Sequence, residues 1–408
     1  MTSRVRPVWR GRALAVIGIL LVAANLRTAV ASLSPIVAQI SADIPLSPLL
    51  IGLIGTAPPV CFAVFALAAP QLARRFGLER LLVIALAALA LGLLARGLAP
   101  NFAVLFGATV VAFAGIGTGN VLLPPLVKKY FPDRVGLMTT SYVTVMTFST
   151  FLPPLIAVPV ANAAGWRLSL GVWSALAAVA AMPWIALLLH PRSDARGARL
   201  ESPDPAVVGR LWRSRLAWSL AVVFAVSSIT AYTMFAWMPT ILVDIAGVRP
   251  HDAGTLVAVF VVVSLPWAIA VPLVAGRAGI IGWLIGFGIV ATVCGYAGLL
   301  LAPTAAPFLW VGLVGMVQLQ FPLALVLINL RTRAHETSVA LSGFVQSVGY
   351  AIAAFAPVGV SLLFQSTGSW TVPLVLLALV AIAGIPAGII VARPGTIEDE
   401  AAARHSRG

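Results

Sequence analysis

Long apolar runs separated by short polar segments dominate this chain. A helix needs about 20 apolar residues to cross the hydrocarbon core of a bilayer. Twelve stretches meet or approach that length, at 13–40, 48–73, 81–98, 102–127, 136–161, 168–189, 217–243, 254–274, 280–301, 308–330, 338–364 and 372–391. They predict an all-α membrane protein with twelve spans, numbered 1 to 12 below. The first run is too long and too well embedded among others to be a cleaved signal peptide. Several exceed the minimum, which allows tilt or bending.

The polar segments divide the runs into two groups of six. The longest is 190–216, rich in Pro, Ser, Asp and Arg. The expected organisation is a cytoplasmic tail over 1–12, a six-helix half over 13–189, a cytoplasmic linker over 190–216, a second half over 217–391 and a cytoplasmic tail over 392–408. The halves echo each other weakly. Ser32-Leu33-Ser34-Pro35-Ile36 closes the first span, and Ala236-Trp237-Met238-Pro239-Thr240 closes the seventh, 204 residues later. Val135-Gly136-Leu137 stands at the same offset from Val339-Ala340-Leu341. Two such halves joined by a linker form the layout of a major facilitator transporter, in which the solute site lies near the midplane between them.

Composition agrees with the pattern. Hydrophobic residues make up 61% of the 408 positions and charged residues 9%, against roughly 25% charged in soluble domains. The net charge of +14 suggests nucleic acid until its distribution is read. Nearly all of the 26 Lys and Arg fall in the tails and in alternate loops; only Arg96, Arg167 and Arg249 fall on the opposite side, and Arg27 lies inside a span. That asymmetry places both termini in the cytoplasm of a plasma-membrane protein and removes any need for a nucleic-acid partner. The expected partners are the lipid bilayer and a small-molecule solute, with the chain acting as a monomer. Trp166, Trp237, Trp310 and Trp370 fall near the outer boundaries and fit an aromatic belt. Cys61 and Cys294 lie far apart in apolar runs and read as packing residues.

Arg27 is the candidate for chemistry. It stands near the middle of the first run, beside Asn25, in a stretch with no other charge. A charge at that depth costs at least about 2.5–3.5 kcal/mol. The twelve Asp and Glu and the four His all fall in loops, tails or span ends. No carboxylate is therefore expected to pair with Arg27 or to relay protons, and no metal or cofactor site is expected. An enzyme would need a cluster of such groups at one depth, and a channel would show charge rings or filter loops. Two readings of Arg27 remain open. It binds an anionic or strongly hydrogen-bond-accepting solute through its planar fork of donors, or it locks neighbouring helices through their carbonyls.

Several segments carry a family resemblance. Gly115-Ile-Gly-Thr-Gly119-Asn120-Val-Leu-Leu-Pro124 is followed by Lys128-Lys-Tyr-Phe-Pro-Asp133-Arg134-Val-Gly136-Leu-Met138-Thr139. Asn25-Leu-Arg27 with Pro35, Trp237-Met-Pro239, Phe321-Pro322-Leu-Ala-Leu325 and Gln346-Ser-Val-Gly349-Tyr350 with Pro357 add to it. The chain resembles the cyanate/2-nitroimidazole transporter (CynX/NimT) family of the major facilitator superfamily. The resemblance implies two pseudo-symmetric six-helix halves, alternating access, and a small solute such as cyanate or a nitroimidazole.

The fold it implies lines the path with spans 1, 4, 7 and 10, which makes Asn25, Asn120, Tyr232, Gln318 and Gln320 cavity candidates beside Arg27. Spans 5 and 11 add Tyr142, Gln346 and Tyr350. For each of these, tying helices together or packing is an equal alternative. Between spans 2 and 3, the superfamily's usual acid is replaced by Arg74, while Arg75, Gly77 and Arg80 still fit a tight gating loop, or a basic loop that only sets topology. Pro153, Pro154 and Pro159 suggest a bent fifth span in place of the glycine pattern of drug/proton antiporters. Multidrug efflux, with Arg27 structural, is the competing function.

Overall fold

In hydrocarbon every backbone N–H and C=O must be satisfied within its own segment, so apolar runs of this length become helices. The computed structural model describes residues 12–189, 205–275, 277 and 279–405. Tail residues 1–11, linker residues 190–204 and the last three residues lie outside the described residues, and with them most of the charges expected in the N-terminal tail and linker. Among the described residues there is no strand.

The spans run Ala13–Asp43, Pro48–Phe76, Leu78–Gly97 and Phe102–Tyr130. Spans 5 and 6 form one continuous run, Val135–Leu189. Gly165 breaks it with φ 85° and ψ 155°, a conformation that an L side chain resists, and the sixth span starts beyond it. The second half follows as Arg215–Ala246, Asp252–Val271, Ile280–Leu301, Pro307–Leu330, Thr337–Thr367 and Thr371–Ala392. Two shorter helices, Pro205–Arg213 and Ile397–His405, lie outside the spans. Among the described residues, eleven helical runs are long and apolar enough to cross a bilayer, and the break at Gly165 divides one of them into the fifth and sixth spans.

The first span is not the single helix its apolar run suggests. It comprises a helix Ala13–Asn25, a turn Thr28–Ala31, a 3₁₀ turn Ser34–Ile36 and a helix Val37–Asp43. Local side chains compete for its backbone. The Thr28 hydroxyl donates to the Asn25 carbonyl at 3.1 Å, the Ser32 hydroxyl to the Ala29 carbonyl at 3.4 Å, and Pro35 has no N–H to give. Arg27 falls at the joint, with φ −127° and ψ −13°.

The halves meet tightly at the end of the bundle away from the chain termini. A side chain on Gly55 of span 2 would strike Ala236 of span 7 and Pro357 of span 11. One on Gly254 of span 8 would strike the Pro154 carbonyl of span 5. The Thr56 hydroxyl also crosses, donating to the Ala354 carbonyl at 3.0 Å. Towards the termini packing is looser on span 5, which has no buried residue between residues 139 and 149.

The tryptophans expected in an aromatic belt do something else at that far end. Trp166 and Trp370 are buried and donate to Asp43 at 3.0 Å and Asp244 at 2.8 Å. Trp237 is buried and donates to the Pro357 carbonyl at 3.0 Å, and Trp310 donates to the Ala302 carbonyl at 2.9 Å. Each indole N–H finds an acceptor inside the protein, which holds the ring in the bundle.

Candidate functional site

Arg27 is flanked by side chains from both halves and is half-buried. Phe62 of span 2 and Phe321 of span 10 place their rings 5.9 and 5.6 Å from its Cζ. The hydroxyls of Tyr232 in span 7 and Tyr350 in span 11 lie within its hydrogen-bonding reach. Ring-face contacts of this kind contribute about 0.5–2 kcal/mol each, comparable to the cost of the charge. Among the described residues no carboxylate reaches Arg27.

The rings hold one another. Phe62 meets Tyr350 at 5.4 Å and Tyr232 at 6.1 Å, and the two tyrosines stand 6.0 Å apart. Phe224 meets Tyr350 at 4.9 Å and Phe321 at 5.5 Å. Most of these pairs are edge-to-face, within the usual 4.5–7 Å range. The cage has one wall from the first half, Phe62, and four from the second, Phe224, Tyr232, Phe321 and Tyr350. Both halves break their helices beside it: span 1 at Arg27 and span 10 in the 3₁₀ turn Met316–Leu319, two residues before Phe321. Irregular backbone at membrane depth is tolerated where it lines a cavity.

Of the residues expected around Arg27, Tyr232 and Tyr350 are brought to it. Asn25 turns away, its amide donating to the carbonyls of Leu21 at 2.8 Å and of Leu176 in span 6 at 3.3 Å, which ties two helices. Gln346 donates to Ser342 of its own helix at 2.9 Å. Gln320 is buried and Gln318 half-buried in the broken stretch of span 10. Asn120 and Tyr142 are half-buried on spans 4 and 5. In the loop between spans 2 and 3, Gly77 ends the helix with φ 83°, and Arg75 and Arg80 are exposed. The acid that links this loop is Glu79, bonded to Lys129 at 2.5 Å and to the Tyr130 hydroxyl at 2.9 Å, both at the end of span 4.

Sequence reasoning missed Phe62, Phe224 and Phe321 as cage walls, and it gave Arg96 no role. Read only as a cation at the outer end of the third run, Arg96 is 1% exposed. It lies in the last helical turn of span 3. Its Nη1 donates to the Ala29 carbonyl at 3.3 Å, and among the described residues no carboxylate reaches it. It lines a cavity of about 30 Å³ just beyond Tyr232, together with Ser34, Ile54, Phe113, Phe235 and Ala236. The signal was present: Arg96 is one of only three cations on the sparsely charged side. Among the described residues, no group of three or more His, Cys, Asp or Glu could hold a metal.

Comparison with known proteins decides the family. The family model described as "Major Facilitator Superfamily" matches residues 16–354. The chain belongs to the major facilitator superfamily. Its relatives include a Bacillus subtilis protein described as an uncharacterized transporter, YycB, 34% identical over 88% of this chain and 89% of the other. The 2-nitroimidazole transporter of Escherichia coli is 33% identical over 93% and 96%. The cyanate transport protein CynX of the same species is 25% identical over 83% and 87%. In fold, the chain resembles the crystal structure of a bacterial homologue of the human lysosomal transporter Spinster, with TM-score 0.70, 14% identity and 95% and 94% of the two chains covered. As a facilitator-superfamily member with this fold, the chain is a transporter rather than an enzyme. Its cage and broken spans lie where the two halves of such a carrier meet.

Proposed function

We propose that this transporter carries a small planar solute bearing anionic or strongly hydrogen-bond-accepting oxygens, and that Arg27 is the cation that binds it. The observation that carries the reading is Arg27 itself: half-buried, and surrounded by aromatic rings with no carboxylate among the described residues. A guanidinium in that setting offers directed N–H donors, and the rings offer apolar faces. Nitro oxygens on a flat heterocycle answer both features at once, and cyanate answers the first. The names of the relatives, a 2-nitroimidazole transporter and a cyanate transport protein, support this solute class.

The charge asymmetry of the loops supports cytoplasmic termini. With that orientation, the tight end of the bundle faces outward and the more loosely packed end faces the cytoplasm. The solute then leaves or enters by rocking the halves about the cage, and Arg75, Gly77 and Arg80 lie on the face that opens.

Counterflow in proteoliposomes tests the reading. Wild-type protein should exchange labelled 2-nitroimidazole or cyanate, with trans-stimulation by unlabelled solute. Arg27→Gln should melt within a few degrees of wild type and lose at least tenfold in exchange. Unchanged kinetics in Arg27→Gln would overturn the assignment and favour the helix-locking role.

A further inference from the structure

The cavity beyond Tyr232 contains two polar groups that the described protein leaves unsatisfied. Arg96 is buried with its Nε unpartnered, and the buried Ser34 hydroxyl, on the 3₁₀ turn of span 1, is unpartnered too. Both line the same space. A buried cation without a counter-charge and a buried hydroxyl without a partner are each costly. One bond to the Ala29 carbonyl answers only part of the guanidinium's need.

We propose that a small monovalent anion, of the size of chloride or cyanate, binds in this cavity between Arg96 and Ser34 and stabilises the closed far end of the bundle. The cavity's volume of about 30 Å³ is roughly twice what one water needs. It admits such an ion and excludes a nitroheterocycle or an organic acid. Charge-assisted hydrogen bonds from guanidinium and hydroxyl supply what the protein does not. The walls come from both halves, with Ser34, Ile54 and Arg96 on one side and Tyr232, Phe235 and Ala236 on the other. The site is therefore whole only while the halves are together at this end, and an occupant favours that state by its differential affinity. The inference does not rest on the role proposed for Arg27.

Thermal melting of the full-length, detergent-purified protein tests it. Sodium gluconate, whose anion is too large for the cavity, is exchanged stepwise for sodium chloride at constant ionic strength. A ligand that binds only the folded state raises the melting temperature. Wild-type protein should show a saturable rise. Arg96→Gln and Ser34→Ala should each shift its midpoint at least tenfold upward or abolish it, and Arg27→Gln should keep it. If Arg96→Gln fails to fold, Ser34→Ala decides, because it removes only an unpartnered hydroxyl. A wild-type melting temperature indifferent to the anion would overturn the proposal. So would an unchanged response in Ser34→Ala. A response lost in Arg27→Gln would also overturn it, by placing the ion at the aromatic cage, while the transport role of Arg27 would still be judged by exchange.

Discussion

Trp370 donates its indole N–H to Asp244 at 2.8 Å and so fastens the start of the last span to the end of the seventh. The first half contains the same fastening, Trp166 to Asp43 at 3.0 Å. The two indoles stand 204 residues apart, each following a glycine with positive φ by one or two positions, Gly165 and Gly368. The internal repeat, faint in the letters of the sequence, is plain in this chemistry. A hydrogen bond to a charged group contributes about 1.5–3 kcal/mol. Trp370→Phe should therefore lower the melting temperature by several degrees, read by differential scanning fluorimetry. Trp166→Phe should cost less, because Arg167 also bonds Asp43 and still holds its carboxylate.

Tyr232 and Tyr350 stand beside Arg27, and a phenylalanine at either position removes one oxygen while keeping the ring. Each single change should raise KM for exchange several-fold with little change in melting temperature. The double variant should approach the loss seen on removing Arg27. Arg27→Lys should recover little, since an ammonium keeps the charge but not the planar fork that lies between two rings. Full activity in the double variant would show that the hydroxyls are bystanders.

Gly254 is a mechanical test of the far-end seal. Its absent side chain would meet the Pro154 carbonyl, backbone that cannot swing aside. Gly254→Ala should prise spans 5 and 8 apart and move the balance towards the far-end-open state by tenfold or more, about 1.4 kcal/mol. Spin labels placed across that end should report longer distances. Solute binding should survive while exchange slows.

The carboxylates at the C-terminal end make a pH-sensitive clamp. Glu400 accepts from the Ser214 hydroxyl at 2.6 Å and from the Arg215 and Leu216 N–H groups that start span 7. Glu398 accepts from the Arg333 and Ala334 N–H groups that lead into span 11. Burial pushes the Glu398 carboxyl up, but its own N–H, those of Arg333 and Ala334, and the Thr337 hydroxyl outweigh it and hold the group below its usual value. Asp399 is likewise lowered, by the Thr396 hydroxyl and N–H and by Arg333. Groups depressed in the folded state contribute stability above their unfolded values, about 4.3 for Glu and 3.9 for Asp, and lose it as pH falls through the folded ones. Hydrogen exchange of the helix Ile397–His405 should be slow at pH 7 and rise sharply below about pH 4. Glu398→Gln should bring that rise to neutral pH.

The spans were legible because their hydrophobic runs exceed any soluble helix, and Arg27 because it is the lone charge within one. Tyr232 and Tyr350 could be named because polar aromatics are scarce, with only five tyrosines in the chain. Phe62 and Phe321 could not, since a phenylalanine facing a cage and one facing lipid look alike in an apolar run. Asn25 takes the second of its two readings, tying helices, for a different reason. The break at Arg27 changes the phase of the helix, so two residues that seem to share a depth turn to different neighbours, one to the cage and the other to span 6. Arg96 was read only as a charge at the outer end of the third run, because nothing in the letters shows that the last turn of span 3 carries it inward.

The two guanidiniums without a described carboxylate have an electrical consequence. Net transport of an anion past fixed positive charges that stay with the protein moves charge across the membrane whenever no cation travels with it and no anion returns in exchange. At 100 mV, inside negative, each outward crossing of a singly charged solute is favoured by about 2.3 kcal/mol, and each inward one is opposed by as much. If the solute is an anion carried alone, voltage by itself drives export. Import then runs against that gradient, unless the solute crosses neutral, as a nitroheterocycle does.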